Sequence, residues 1–166
     1  LRLLRKEEAN VQVMMSKAAE KFVGKASFAA LSNNEVLTSL FPKNPPAGLK
    51  HVNLAFELDA VIIAPATANT LSKMASARAD NLLIATYLSA KCPVFFAPAM
   101  DLDMHKNQAN KLNIIKLIDF GNIHIPVNSG FLASGLEGEG RMQEPIEIVE
   151  YVENKNAYLI NHIPTT

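Results

Sequence analysis

Tryptophan is absent from this chain, tyrosine occurs three times, and there is one cysteine among 166 residues. So few aromatics argue against a platform on which nucleic-acid bases stack. Cys92 cannot form an internal disulfide, which fits a reducing compartment such as the cytoplasm. Placed beside Pro93 and ahead of an apolar run, it reads as buried filler rather than as a nucleophile. Charge of one sign is not in excess either, because 16 basic residues offset 16 acidic ones. No overall field therefore draws the chain to nucleic acid or to an anionic membrane. No apolar run approaches the roughly 20 residues that cross a bilayer, and no secretory leader is visible. Internal repeats and low-complexity tracts are missing as well. The chain opens on Leu1-Arg2-Leu3-Leu4-Arg5, a pattern suited to the inside of a helix. An N-terminal strand and its loop are expected to precede it.

What is present suits one α/β domain over residues 1–155, with 156–166 as a tail or linker. The length is sufficient for a substantial core. Residues 1–8 read as the end of an amphipathic helix, 11–15 as a strand, and 17–23 and 34–40 as helices. Residues 43–48, with three prolines, read as a loop. A short helical or irregular piece ends at Leu58. The strand 60–64 and a helix from Thr67 follow, then a helix over 80–90 and the apolar strand 94–97. A run of that kind is expected where both faces of a sheet are covered. A helix over 105–120 closes at Gly121, followed by a strand at 122–126. Residues 128–141 hold four glycines and read as a loop, and Pro145 opens a helix to about Glu153. This alternation predicts a three-layer open parallel sheet of Rossmann-like, flavodoxin-like type.

Residues 59–81 are the most informative stretch. The apolar run from Ala60 halts at Pro65 and gives way to Ala66-Thr67-Ala68-Asn69-Thr70. As residues alone, this is either an ordinary strand-to-helix turn capped by Thr67 or the wall of a ligand crevice. Small side chains would let a flat ligand approach the backbone there, with Thr67, Asn69 and Thr70 as hydrogen-bonding groups. Strands also stop at Met15-Ser16 and at Ala97-Pro98. Convergence of three such stops at one sheet edge favours the crevice.

Pro65 to Thr70 closely resembles the PASANT signature of the flavin-containing cysteine decarboxylases. Four ordered segments resemble the phosphopantothenoylcysteine decarboxylases of that family: His51-Val52-Asn53-Leu54; Pro65 to Thr70 with Asp80-Asn81-Leu82-Leu83; Ala97-Pro98-Ala99-Met100; and Gly-Leu-Glu-Gly-Glu-Gly-Arg-Met-Gln-Glu-Pro from Gly135. The resemblance implies FMN bound between subunits of a homotrimer, which can assemble further into a dodecamer. It implies cofactor contacts at Ser16, Thr67, Ala68, Asn69, Thr70 and Ala99, and a catalytic role for His51. Substrate contacts would fall on Asp101, Met104, Leu132, Ala133 and Arg141. The implied activity is oxidative decarboxylation of 4'-phosphopantothenoylcysteine to 4'-phosphopantetheine in coenzyme A synthesis. The substrate would pass through a thioaldehyde and an enethiol. The family's phosphate loop is not present in this chain, and no metal is implied.

Two positions depart from the family's pattern. Asp101 stands where the family usually has an asparagine that helps hold the substrate carboxylate. Two carboxylates in a shielded pocket repel, so Asp101 must be protonated, turned away or paired. Ser134 stands where the family's substrate-covering clamp usually has cysteine, and a serine hydroxyl is a far weaker proton donor than a thiol. Two other outcomes of the same resemblance are a peptidyl-cysteine decarboxylase, which needs no final reduction, and a flavin-binding regulatory protein whose catalysis has lapsed. His105 and His124 receive no role.

Overall fold

A computed structural model describes residues 1–41 and 50–161, with side chains over 1–41 and 52–155. The expected loop at 43–48 lies outside the described residues. The chain groups into two compact units, one formed by 1–58 with 77–91 and the other by 59–76 with 92–166.

The first unit is mostly helical, with α1 at Arg2–Lys6, α2 at Lys25–Ser32, α3 at Lys50–Glu57 and α5 at Leu82–Ser89. Leu37, Leu54 and Leu82 are buried together, with Met14, Leu40 and Leu58 packed around them. The strand expected at 11–15 contributes only one parallel bridge, Met14 to Leu37. The helix expected at 17–23 shrinks to a single tight turn at Ala19–Lys21. The helix expected at 34–40 is instead α2, earlier in the chain. Its end has a physical cause: the buried Ser32 hydroxyl donates to the Phe28 carbonyl at 2.8 Å and accepts from the Asn34 N–H at 3.2 Å. Asn33 then takes a left-handed conformation, φ 58°, as asparagine tolerates at a helix end. Past it the chain runs extended so that Val36 and Leu37 are buried. At α5, Asn81 caps the helix by accepting the Ile84 N–H at 3.1 Å.

The second unit holds the sheet. Strands β1 (Val61–Ala66), β2 (Val94–Pro98) and β3 (Ile123–His124) lie in the order β1-β2-β3, all parallel. Ile62, Phe95 and Ile123 are in register and share one face, where Ile148 and Val152 of α8 (Pro145–Asn161) cover them. Ile63, Phe96 and His124 share the other face. There α4 (Ala68–Ala75) packs on α7 (Gln108–Asp119), and α7 touches β3. Leu71 and Met74 of α4 and Ile114 and Leu117 of α7 supply its buried side chains. The fold is the expected α/β class with a parallel sheet between helices.

The remaining differences lie in the second half. The helix expected at 105–120 is two helices, α6 (Leu102–Lys106) and α7, because Asn107 leaves the helix and caps α7 through the Ala109 N–H at 2.9 Å. The expected stop at Gly121 stands, with φ 86°. The strand at 122–126 is reduced to β3. The glycine-rich stretch expected as a loop is an antiparallel hairpin of β4 (Asn128–Phe131) and β5 (Glu137–Arg141). Helix α8 runs on to Asn161, through the first residues of the stretch read as a tail.

Leu117 has no exposed surface. Leu117→Ala is expected to cost about 2–5 kcal/mol, as buried leucine truncations do. Urea unfolding followed by circular dichroism measures it.

Candidate functional site

The site is built where β1 and β2 end side by side. Parallel strands deliver their carboxyl ends to the same edge, and the Ala99 N–H donates to the Ala66 carbonyl at 3.2 Å, continuing the pairing past β2. From β1 the chain turns directly into α4. Thr67, extended at φ −71° and ψ 161°, caps that helix by accepting the Thr70 N–H at 3.4 Å. The two threonine hydroxyls lie 3.2 Å apart. Thr67 and Asn69 are exposed while Ala68 and Thr70 are half-buried. Hydroxyls, an amide and the first-turn peptide N–H groups are thus presented between small side chains.

From β2 the chain turns through Ala99 and Met100 into α6. Asp101 caps α6 by accepting the Leu102 N–H on its carboxylate at 2.7 Å. Of the orientations open to this carboxylate, the one found directs an oxygen onto the backbone. Met104 is exposed on α6, and its carbonyl accepts from the Asn110 side chain at 2.7 Å.

The β4–β5 hairpin is docked against this turn. The Met100 N–H donates to the Gly140 carbonyl at 3.0 Å, and β5 packs on α6. Gly140 has φ +139°, and a Cβ there would overlap the Met100 carbonyl oxygen. Only glycine permits this approach. At the hairpin tip Leu132 exchanges backbone hydrogen bonds with Gly135 and Leu136, each at 2.9 Å. Ala133 and Ser134 are exposed there. The Ser134 hydroxyl accepts the Leu136 N–H at 3.4 Å. Arg141, at the other end of β5, pairs with Glu144.

Thr67, Ala68, Asn69, Thr70, Ala99, Asp101, Met104, Leu132, Ala133, Ser134 and Arg141 therefore all belong to the second unit. Ser16 and His51 belong to the first. Ser16 caps the tight turn by accepting the Ala19 N–H at 3.2 Å. His51 lies in the first turn of α3, and its side chain is outside the described set. No group of three or more metal-ligating side chains occurs among the described residues.

Sequence reasoning passed over His124. Its ring lies 5.2 Å from that of Phe96, and its Nε2 is buried without a partner. Burial, and secondarily the charge of His105, hold its pKa below the ordinary 6.5. Its position opposite Phe96 could have been read only from strand register. Burial also pushes the Cys92 thiol above its ordinary value, consistent with an inert cysteine.

The Flavoprotein family profile matches residues 1–157. The chain belongs to the flavoprotein family, as a phosphopantothenoylcysteine decarboxylase-type protein. A solved structure described as a cysteine-to-serine mutant of a PPC decarboxylase, complexed with pantothenoylaminoethenethiol, superposes with a TM-score of 0.78 at 31% identity. The match covers 90% of this chain and 85% of that one. The coenzyme A biosynthesis bifunctional protein CoaBC of Bacillus subtilis is 42% identical over 87% of this chain and 36% of its own length. A cysteine/cysteine sulfinic acid decarboxylase from an unknown prokaryotic organism is 51% identical over 76% of this chain and 35% of its own. The chain thus spans about a third of the length of the curated relatives it matches.

Two outcomes follow for this flavoprotein. Gly140→Ala is expected to destabilise by about 1–3 kcal/mol through backbone strain and overlap and to loosen the hairpin from Met100. Hydrogen exchange should show the Met100 amide losing protection. The second concerns acid. Unfolded chains take up a proton on His124 near pH 6.5 while the folded imidazole resists it, so the stabilising contribution present above pH 6.5 is lost as pH falls below it towards the folded value. His124→Gln should flatten the pH dependence of the unfolding midpoint just below pH 6.5, measured by urea titrations across that range.

Proposed function

We propose that this chain is the decarboxylase portion of a flavoprotein, converting 4'-phosphopantothenoylcysteine to 4'-phosphopantetheine with FMN, in coenzyme A synthesis. One observation carries the reading: the Thr67-capped start of α4 and the Ala99–Asp101 turn stand at one sheet edge, with the β4–β5 hairpin docked on that turn. Family membership and the relatives involved in coenzyme A synthesis support it.

The residues present fit a flavin. Ala68 and Ala99 are small and leave room for a flat ring, while Thr67, Asn69 and Thr70 offer donors and acceptors to its polar edge. Thr67, Ala68, Asn69, Thr70 and Ala99 would hold FMN; the resemblance assigns a further cofactor contact to Ser16. When bound, FMN supplies two-electron oxidation of the substrate and return of the hydride. Around it the chain's own groups bind, orient and shield. His51 is assigned the handling of protons near the substrate thiol, as an imidazole titrating near neutrality can do. Met104, Leu132, Ala133 and Arg141 frame the substrate. Asp101, with an oxygen committed to the Leu102 N–H, shapes the turn. Assembly as a homotrimer or dodecamer with the flavin between subunits belongs to the same reading.

Ser134 favours a second outcome. Its hydroxyl, exposed at the hairpin tip, is a weak acid for protonating an enethiol. The relative named a cysteine/cysteine sulfinic acid decarboxylase also directs attention to reactions without that last step. One experiment separates these possibilities. Purified protein is incubated with FMN and either 4'-phosphopantothenoylcysteine or peptides ending in cysteine, while carbon dioxide and product mass are followed. Carbon dioxide with 4'-phosphopantetheine is the expected result. Carbon dioxide with enethiol alone would transfer the reading to a decarboxylase that stops before reduction. Release of carbon dioxide from neither substrate would overturn the enzyme reading.

A further inference from the structure

Helix α8 does more than cover the sheet, because its first turn also holds the base of the β4–β5 hairpin. One oxygen of the Glu147 carboxylate, Oε2, accepts two hydrogen bonds. It takes the Glu144 N–H at 3.0 Å and the Asn128 side-chain amide at 3.1 Å. The first contact is half of a capping box, in which an acidic residue in the first turn reaches back to the start of its helix. The second leaves the helix and reaches β4. Arg141, paired with Asn128 across the hairpin, gives its guanidinium to the Glu144 carboxylate. Both strands are thus tied to the start of α8 at the same level, β4 through Asn128 and β5 through Arg141.

The support behind these ties is fixed. Ile148, next to Glu147, is buried with Val152 against the sheet, and Met142 packs on the same cluster. Toward the site, β5 meets the turn through the Met100 N–H and the Gly140 carbonyl. That bond sets a point of contact and leaves the hairpin free to tilt about it. A tie on β4 removes the tilt. Among the described residues, the Asn128 amide is the one side-chain group of β4 that hydrogen-bonds outside the hairpin. Leu132, at the tip, lies about 13 Å along the strand from Asn128 at ~3.4 Å per residue. A tilt of about 10° at the base would carry the tip roughly 2 Å, enough to misplace groups against a bound substrate.

We propose that Glu147 is a positioning residue of the decarboxylase. Through Asn128 it holds the hairpin at the angle that sets Leu132 and Ala133 over the substrate, without touching the substrate itself. The positioning role rests on the decarboxylase reading, whereas the latch rests on the hairpin's own contacts.

Four holoenzyme variants test it: Asn128→Ala, Glu147→Ala, the two together, and Glu147→Gln. Glutamine keeps an acceptor for both donors and still serves a capping box. Asn128→Ala leaves the cap of α8 intact, so it isolates the contact should Glu147→Ala disturb the helix start. On each variant KM and kcat with 4'-phosphopantothenoylcysteine, FMN affinity and hydrogen exchange of the β4–β5 amides are measured. Asn128→Ala and Glu147→Ala are expected to raise KM about three- to ten-fold, the scale of one hydrogen bond to a charged group. FMN affinity and kcat should change little, and hairpin exchange should quicken. The double variant should be no worse than Glu147→Ala, because both changes remove one contact, and Glu147→Gln should behave as wild type. Faster exchange with KM unchanged would overturn the positioning role, as would a double variant whose losses add. Unchanged exchange in Asn128→Ala would overturn the latch. A wild-type holoenzyme without turnover would remove the decarboxylase reading and the positioning role with it, while hairpin exchange would still decide the latch.

Discussion

Parallel pairing of β1 with β2 is the constraint from which the rest of the second unit follows. Phe95, Phe96 and Ala97 are almost wholly buried, so their peptide groups have no water to pair with and must find each other. The resulting ladder brings both strands to the same edge and leaves the chain to turn away there twice. Each turn opens a helix whose first N–H groups need acceptors. Thr67 answers that need for α4 and Asp101 for α6. The candidate site is therefore a by-product of satisfying backbone groups at one end of a sheet, to which small residues and hydroxyls have been added.

The β4–β5 hairpin depends on that edge in turn. Its carbonyl at Gly140 takes the Met100 N–H, and glycine is needed because the two backbones come too close for a side chain. Asp101, whose carboxylate caps the adjacent helix, is held by local backbone chemistry at the position where the family places an amide. Ser134 lies at the exposed tip of the same hairpin. The two departures from the family's pattern thus occupy the turn and the element docked on it, within one unit.

Much of this was legible beforehand. The apolar runs at 60–64 and 94–97, the cap at Thr67 and the left-handed Gly121 are local signals, set by side-chain sterics and nearby hydrogen bonds, although β1 runs past the expected stop at Pro65 to Ala66. The failures share a cause. Val11 to Met15 has strand chemistry but finds only Leu37 as a bridge partner. Residues 34–40 have helical spacing, yet Ser32 and Asn33 end the preceding helix and burial of Leu37 draws the chain out straight. Residues 128–141 look like a loop because glycine is poor in strands. They pair because Gly130 faces Gly138 across the hairpin, and glycine is also what the contact with Met100 requires.

By itself, then, the sequence determined the α/β class, the order of the main elements, the caps at Thr67 and Gly121 and the family to which its motifs point. These depend on interactions within a few residues, or on patterns shared by whole segments. The tertiary structure alone decided that the glycine-rich stretch is a hairpin docked on Met100 and that the Asp101 carboxylate turns to the backbone. It also decided that His124 packs its ring near Phe96 with Nε2 buried and that α7 carries a second apolar face. Each of these is a contact between segments distant in the chain, or a surface left over after such contacts form. No local pattern encodes which partner a buried group will find.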